Sequence, residues 1–282
     1  PEEVTAVVNV ADDVELHGLH ISPDLDTVTY TVAGAIDPER GWGLAGETWT
    51  TMEALRRFPG ARSWFNLGDQ DLATHLYRTD RLRAGATLTE VTAGVTSAFG
   101  LTLRVLPVSD DRLETRVTTA EGEIGFQEYF VQRQHDVAVS NVRFVGAQEA
   151  RPGPDVLSGL ADAERVVIAP SNPIVSIGPV LAVPGIEEAV QRRRDHVVAV
   201  SPIIAGAALK GPADRLLREL GHEPSVVGVA RLYAELAGTL VVDEADAPLA
   251  PQVEAEGLRC VVAPTIMRDA TAAAALAEVV LR

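Results

Sequence analysis

Cysteine, lysine and aromatic residues are scarce in this chain. The one cysteine, Cys260, excludes a disulfide framework and suits a reducing, cytoplasmic compartment. Lysine occurs once, at Lys210, within a basic total of 24 set against 40 acids. The resulting formal charge of −16 argues against a nucleic-acid backbone or an anionic membrane as the main partner. Acid richness with almost no lysine has two readings, a high-salt cytoplasm or a GC-rich genome, and both are open. The longest uncharged stretch, 166–186, contains Pro170, Pro173, Pro179 and Pro184, so it cannot be a regular spanning helix. The start, PEEVTAVVNV, has no basic n-region, and no signal peptide is expected. It opens almost directly on an apolar strand, so a further N-terminal segment is expected. GxSxG, Walker A, HExxH, CxxC and a nucleotide-binding glycine loop are all missing.

What is present is a chain of 282 residues, 46% hydrophobic, long enough to bury a large core without staples. The β-branched run 4–10 reads as a buried strand. Helical spacing covers 49–58, 71–83 and 88–99, the last opened by a Thr87/Glu90 capping box. A strand is expected over 101–106, and a hairpin over 114–132 around Glu121-Gly122-Glu123. From there strands (165–169, 197–200, 240–243, 258–263) alternate with helices (186–194, 212–220, 226–236, 271–281). This pattern predicts one Rossmann-like α/β domain over 1–282, a three-layer, mostly parallel sheet with a helical and β-hairpin insertion at about 38–145.

In such sheets ligands bind beyond the C-terminal strand ends, and four segments stand out. Residues 1–39 carry nine acids and no Lys or Arg. Asp12 and Asp13 follow a strand. In Ser22-Pro23-Asp24-Leu25-Asp26-Thr27 an extended backbone would turn Asp24 and Asp26 to one side. Carboxylates converging without a basic neighbour repel unless a divalent cation neutralises them, and hard oxygen ligands suit Mg²⁺. The competing reading is a solvated acidic surface. In the 66–75 segment Asp69 can cap the following helix, while Asp71 and His75, four apart, share a helix face. They could form a carboxylate-oriented imidazole or a plain surface pair. Ser171-Asn172-Pro173 with Ser176 and Gly178 is dense in uncharged donors, suiting phosphate or base recognition, or else a proline-stiffened turn. Ser201-Pro202 and Lys210, just before a helix, suggest a phosphate contact; chance retention of the lysine fits equally. His17 and His20 belong to no ligand pattern.

Taken together, VVNVADD (7–13), HISPDLDTVTYTVAG (20–34), IDPERGWG (36–43), NLGDQDLATHLYRTDRLRAG (66–85), LPVSDD (106–111), FQEYFV (126–131), APSNPIVSIGPVL (169–181) and VSPIIAGAALKGPAD (200–214) resemble the 2-phospho-L-lactate transferase family of coenzyme F(420) biosynthesis. The family's glycine-loop opening would precede Pro1. The resemblance implies a GDP-linked phospholactate or phosphoenolpyruvate donor, the ribityl hydroxyl of the deazaflavin Fo as acceptor, GMP as product, Mg²⁺ as cofactor and a homodimer, in an archaeon or actinobacterium. Carried onto this sequence, it places Asp26 and Asp13 in catalysis and Asp12, Asp13 and Asp26 on the metal. It places Asp26, Thr27, Asn66, Asp69 and His75 on Fo, and Ser171, Asn172, Ser176, Gly178, Ser201 and Lys210 on the donor. Asn66 stands where some members look to have lysine. The rival readings are a nucleotide-sugar-binding regulator of the related gluconeogenesis-factor family, and a dinucleotide-dependent oxidoreductase.

Overall fold

The computed structural model describes residues 3–282, so Glu2 of the acidic run lies outside the described residues. Its contacts group the chain into two compact units. The first holds residues 1–117, 122–137 and 143–156, and the second holds 118–121, 138–142 and 157–282.

The first unit opens with strand β1 (Thr5–Val8), followed by the tight hairpin β2 (Val14–Leu16) and β3 (Leu19–Ile21). Next comes helix α1 (Pro23–Val32), which corrects the extended reading of the SPDLDT segment. Proline at the first helical position supplies a preset φ and lacks an N–H that a helix start could not bond anyway. Helices α2 (Thr50–Leu55), α3 (Asp71–Arg83) and α4 (Leu88–Ala98) follow. The α4 capping box forms as its sequence predicts: Glu90 N–H donates to Thr87 Oγ1, and the Glu90 side chain accepts from Thr87 N–H. Strand β4 (Arg104–Pro107) pairs in parallel with β1. Leu16, Ile21, Met52 and Leu67 form a core cluster beneath the β2–β3 hairpin, with Trp64 and Phe65 against it.

The hairpin expected over 114–132 is shorter. It consists of β5 (Glu114–Thr119) and β6 (Gly122–Gly125). Residues 128–132 then form a wide helical turn closed by Arg133 N–H on Glu128 O, where a strand was expected. With β7 (Asn141–Val145) these strands make a sheet in the order β6-β5-β7.

The second unit alternates as its sequence does. It runs α5 (Val156–Asp162), β8 (Val166–Ile168), α6 (Gly178–Leu181), α7 (Ile186–Gln191), β9 (Val197–Val200) and the short pair β10 (Ile203–Ile204) and β11 (Ala207–Ala208). It continues through α8 (Ala213–Glu219), α9 (Val226–Tyr233), β12 (Thr239–Val242), α10 (Ala250–Ala255), β13 (Arg259–Val262) and α11 (Ala270–Val280). Four parallel strands lie in the order β13-β12-β9-β8. β9 is buried along its whole length, as a strand covered on both faces must be. Leu276 and Val280 of α11 pack on Val198, Val200 and Val241. The α/β class with parallel sheets flanked by helices is therefore as the sequence predicts.

On α9 the Tyr233 hydroxyl is buried with no hydrogen-bond partner among the described residues, and burial pushes its pKa up. An unmade bond costs more than an absent group. Tyr233→Phe is expected to leave thermal stability unchanged or to raise it by ~1 kcal/mol. A clear drop in the melting temperature would count against this.

Candidate functional site

The acidic N-terminal segment becomes a bonded structure through Asn9, at the end of β1. Its side-chain amide donates to Asp12 Oδ2 at 3.0 Å and to Asp24 Oδ2 at 2.9 Å, while its Oδ1 accepts Ala11 N–H. One amide thus bridges two carboxylates from different elements. Asp12 Oδ1 and Thr115 Oγ1 are both buried and, among the described residues, neither makes a hydrogen bond of regular geometry, although the Thr115 hydroxyl acts on the Asp12 carboxylate and pulls its pKa down against burial. Burial, with repulsion from Asp24, pushes Asp12 well above the usual carboxylate range, and burial pushes Asp24 up to about 6. Gln127 fixes this loop from the far side, its Nε2 donating to Asp12 O at 2.8 Å.

Asp13 is held differently. Its Oδ2 accepts Ser22 Oγ at 2.7 Å and meets His20 Nε2 at 2.9 Å. The Ser22 hydroxyl is thereby spent on Asp13 and does not cap α1.

Asp26 sits elsewhere. Two residues on from Asp24 is about 200° around a helix, so the pair cannot share a face once α1 forms. Asp24 turns to Asn9, whereas Asp26 turns to α3. There both Asp26 oxygens accept from the Arg78 guanidinium, Oδ2 from NH1 at 3.1 Å and Oδ1 from NH2. His75 Nδ1 lies 3.2 Å from the same NH1. Because guanidinium can only donate, that nitrogen is the acceptor. Its Nε2 then carries the proton, 3.2 Å from Asp71 Oδ2. Tyr30 Oη donates to Asp71 Oδ1 at 2.6 Å. Burial pushes Asp26 up against the pull of Arg78, while for Asp71 the bonds from His75 and Tyr30 outweigh burial and hold it low.

Two expectations are corrected here. The acids do have basic neighbours, Arg78 and His20, supplied from outside the run or from its quietest members. Nor do Asp12, Asp13 and Asp26 form one ligand set. Among the described residues the three groups whose ligand atoms converge within 4.8 Å are Asp26, Asp71 and His75. Most of that convergence is already engaged: Arg78 occupies both oxygens of Asp26 and the Nδ1 of His75, Tyr30 donates to Asp71, and His75 Nε2 lies 3.2 Å from Asp71 Oδ2 without a hydrogen bond of regular geometry among the described residues.

Asp69 does not cap the helix that follows it. Its carboxylate accepts Thr48 Oγ1 and the N–H groups of Thr50 and Thr51, capping α2, and these bonds lower its pKa. The α3 start is capped by Glu47, which accepts from Gln70 N–H and Asp71 N–H at 2.8 Å each. Glu47 lies on Gly68, where an added Cβ would stand 2.1 Å from Glu47 Cδ. Gly68→Ala is therefore expected to expel Glu47 and lose the cap, costing ~1 kcal/mol in a denaturant titration. Unchanged stability would sink this assignment. Thr27 follows Asp26 on α1, and Asn66 Oδ1 is buried without a hydrogen-bond partner among the described residues.

In the second unit, the loops after β8 and β9 leave the C-terminal ends of neighbouring parallel strands, where the sheet's geometry puts ligands. Asn172 Oδ1 accepts Ile174 N–H, opening the turn that carries Ser176 towards Gly178; Ser171 precedes it, half-buried. Ser201 Oγ is committed to Ile203, accepting its N–H at 3.1 Å and donating to its carbonyl at 3.0 Å. Lys210 is exposed ahead of α8. Sequence reasoning missed Asp246. Its Oδ2 accepts Ala205 N–H at 2.9 Å and pins the β10–β11 turn, where Ala205 has a φ of 50°.

These features define a Rossmann-like α/β protein with a cluster of buried, hydrogen-bonded carboxylates at the end of β1. The family model for 2-phospho-L-lactate transferase CofD matches residues 1–273. A Kitasatospora aureofaciens protein named phosphoenolpyruvate transferase is 43% identical, over 99% of this chain and 89% of its own. One of the same name from Mycolicibacterium smegmatis is 42% identical, over 97% of this chain and 86% of its own. A crystal structure of a upf0052-family protein from Bacillus halodurans superposes with a TM-score of 0.61 at 14% identity, covering 99% of this chain and 91% of that one, a likeness of fold. The chain belongs to the 2-phospho-L-lactate transferase CofD family.

Proposed function

We propose that this chain is the transferase of coenzyme F(420) biosynthesis that joins a phosphorylated three-carbon acid to Fo, with enolpyruvyl phosphate as the group moved. The observation that carries the reading is the family match across nearly the whole chain, with actinobacterial relatives above 40% identity named phosphoenolpyruvate transferase. The ribityl hydroxyl oxygen attacks the phosphorus bearing the three-carbon acid. The bond to the second phosphate breaks, and GMP leaves.

Mg²⁺ fits the residues present. Asp12 Oδ1 is a buried oxygen with no hydrogen bond of regular geometry among the described residues, and Asp24 and Asp13 are the carboxylates that repel it. These residues would hold the ion, which would supply charge neutralisation at the phosphates. Asp13 is the better proton acceptor for the ribityl hydroxyl: His20 and Ser22 fix its Oδ2, and Oδ1 is left for the incoming proton. Asp26, with both oxygens on a guanidinium, is poorly placed to take one. Thr27 and Asn66 remain candidates on the Fo side, where His75, buried between Arg78 and Asp71, would act only through those neighbours; Ser171, Asn172, Ser176, Gly178 and Lys210 remain candidates on the donor side. A homodimer in the cytoplasm completes the reading.

Incubation with Fo, Mg²⁺ and either GDP-linked donor, read by product mass, tests it. The enolpyruvyl product is expected, and EDTA should stop its formation. Exclusive use of the lactyl donor would overturn the donor assignment, and EDTA-resistant turnover would overturn the metal.

A further inference from the structure

Arg78 is 2% exposed, the largest side chain of the chain to be so completely buried. A guanidinium is taken out of water only where its donors are met. Here they meet the two oxygens of Asp26, a residue 52 positions away in sequence and on another helix, and the lone pair of His75. His75 Nε2 in turn lies 3.2 Å from Asp71 Oδ2, and Tyr30 Oη donates to Asp71. The chain Tyr30–Asp71–His75–Arg78–Asp26 is thus a strut between α3 and the first turn of α1. That same first turn carries Asp24, which shares the Asn9 amide with the buried carboxylate of Asp12.

We propose that Arg78 is a positioning residue of the transfer reaction: it holds Asp26 inside a neutral buried pair, keeps that carboxylate out of the cation's shell, and fixes the turn from which Asp24 reaches Asn9 and Asp12. The guanidinium fork is what matters, because only a planar, bidentate donor sets both the distance and the rotation of a carboxylate. Errors of about an ångström in placing reacting groups cost on the order of 10²-fold in rate. The turnover arm of the proposal rests on the transferase reading, whereas its metal arm needs no turnover.

Mn²⁺ titrated into the full chain and followed by electron paramagnetic resonance is the probe, beside kcat, KM and a thermal melt. Three variants decide it. Asp24→Asn should weaken Mn²⁺ binding at least ~10-fold. The charge-free pair Asp26→Leu with Arg78→Met leaves the net charge unchanged and should weaken Mn²⁺ binding clearly less than Asp24→Asn does, since the turn carrying Asp24 loosens but no ligand is lost. Arg78→Lys keeps the charge and loses the fork. It should melt as a folded protein and bind Mn²⁺ normally, with kcat about 10-fold lower and both KM values unchanged. A charge-free pair that folds yet loses Mn²⁺ as Asp24→Asn does would make Asp26 a ligand and overturn the proposal. So would full kcat in Arg78→Lys, or a wild type that binds no Mn²⁺. Failure of the transferase reading looks different: Mn²⁺ binds the wild type as described, and no donor yields product.

Discussion

Asp26→Asn and Arg78→Leu are each expected to lose ~3–5 kcal/mol of stability, more than any other single change at this site. Each variant leaves one half of a buried ion pair behind. In Asp26→Asn a guanidinium that is 2% exposed faces an uncharged amide with one acceptor oxygen in place of two, and an NH₂ that can only donate. In Arg78→Leu, Asp26 loses both its donors, and Asp71 remains nearby as a like charge. The melting temperature should fall by roughly 10 °C in either case. The pair is not worth that much as a net contribution, because bringing both charges out of water has already consumed most of the attraction. Replacing both partners with apolar residues should restore most of the loss, and a double-variant cycle reads the difference. Additive losses in the double variant would show that the two side chains do not act as one pair.

This prediction reverses what the sequence suggests for Asp26, and the reason is local. Ser22-Pro23 ahead of an apolar-periodic stretch is a helix-start signature, a potential N-cap followed by proline at the first helical position. Taken as an extended loop, the same residues put Asp24 and Asp26 on one side. Taken as a helix, they send Asp24 to Asn9 and Asp26 to Arg78. The signal was present in the sequence, but it competed with a loop reading suggested by the density of acids.

Other features were legible for good reasons. The 71–83 helix follows from its spacing, and the Asp71–His75 contact follows from four-residue helical geometry. The fully apolar 197–200 run reads as a central parallel strand because nothing in it could face water. What was not legible depends on partners far apart in the chain. Nothing local says that Arg78 is buried among acids rather than solvated, as arginines on helices usually are. The exchange of caps between Glu47 and Asp69 is of the same kind. Each acid sits where it could cap its own neighbourhood, and only the packed loop shows that each caps the other's helix.

Asp12→Asn should abolish transfer while leaving the protein as stable as the wild type or more so. The amide keeps the shape and can still meet Asn9, but it gives up the charge that a divalent cation needs. Loss of several kcal/mol of transition-state stabilisation predicts about a 10³-fold drop in turnover. Stability goes the other way, because the wild-type carboxylate is buried and is repelled by Asp24 and Asp13, against which the Thr115 and Asn9 side chains only partly hold it. The same repulsion fixes a pH dependence in the metal-free protein. Asp12 and Asp24 have folded pKa values above their unfolded ones, about 6 for Asp24 against 3.8. The folded state therefore binds protons more tightly, and its stability, fully present below about pH 4, declines as pH rises through 6, with a slope of at most ~1.4 kcal/mol per pH unit for each group. Mg²⁺ should remove that decline by taking the place of the protons. Melting curves at pH 5 and pH 7, with and without Mg²⁺, measure it for the wild type and for Asp12→Asn, in which the decline should be smaller. A wild type whose metal-free stability rises between those two values would mean that the acids at the end of β1 are not the unneutralised pair described here.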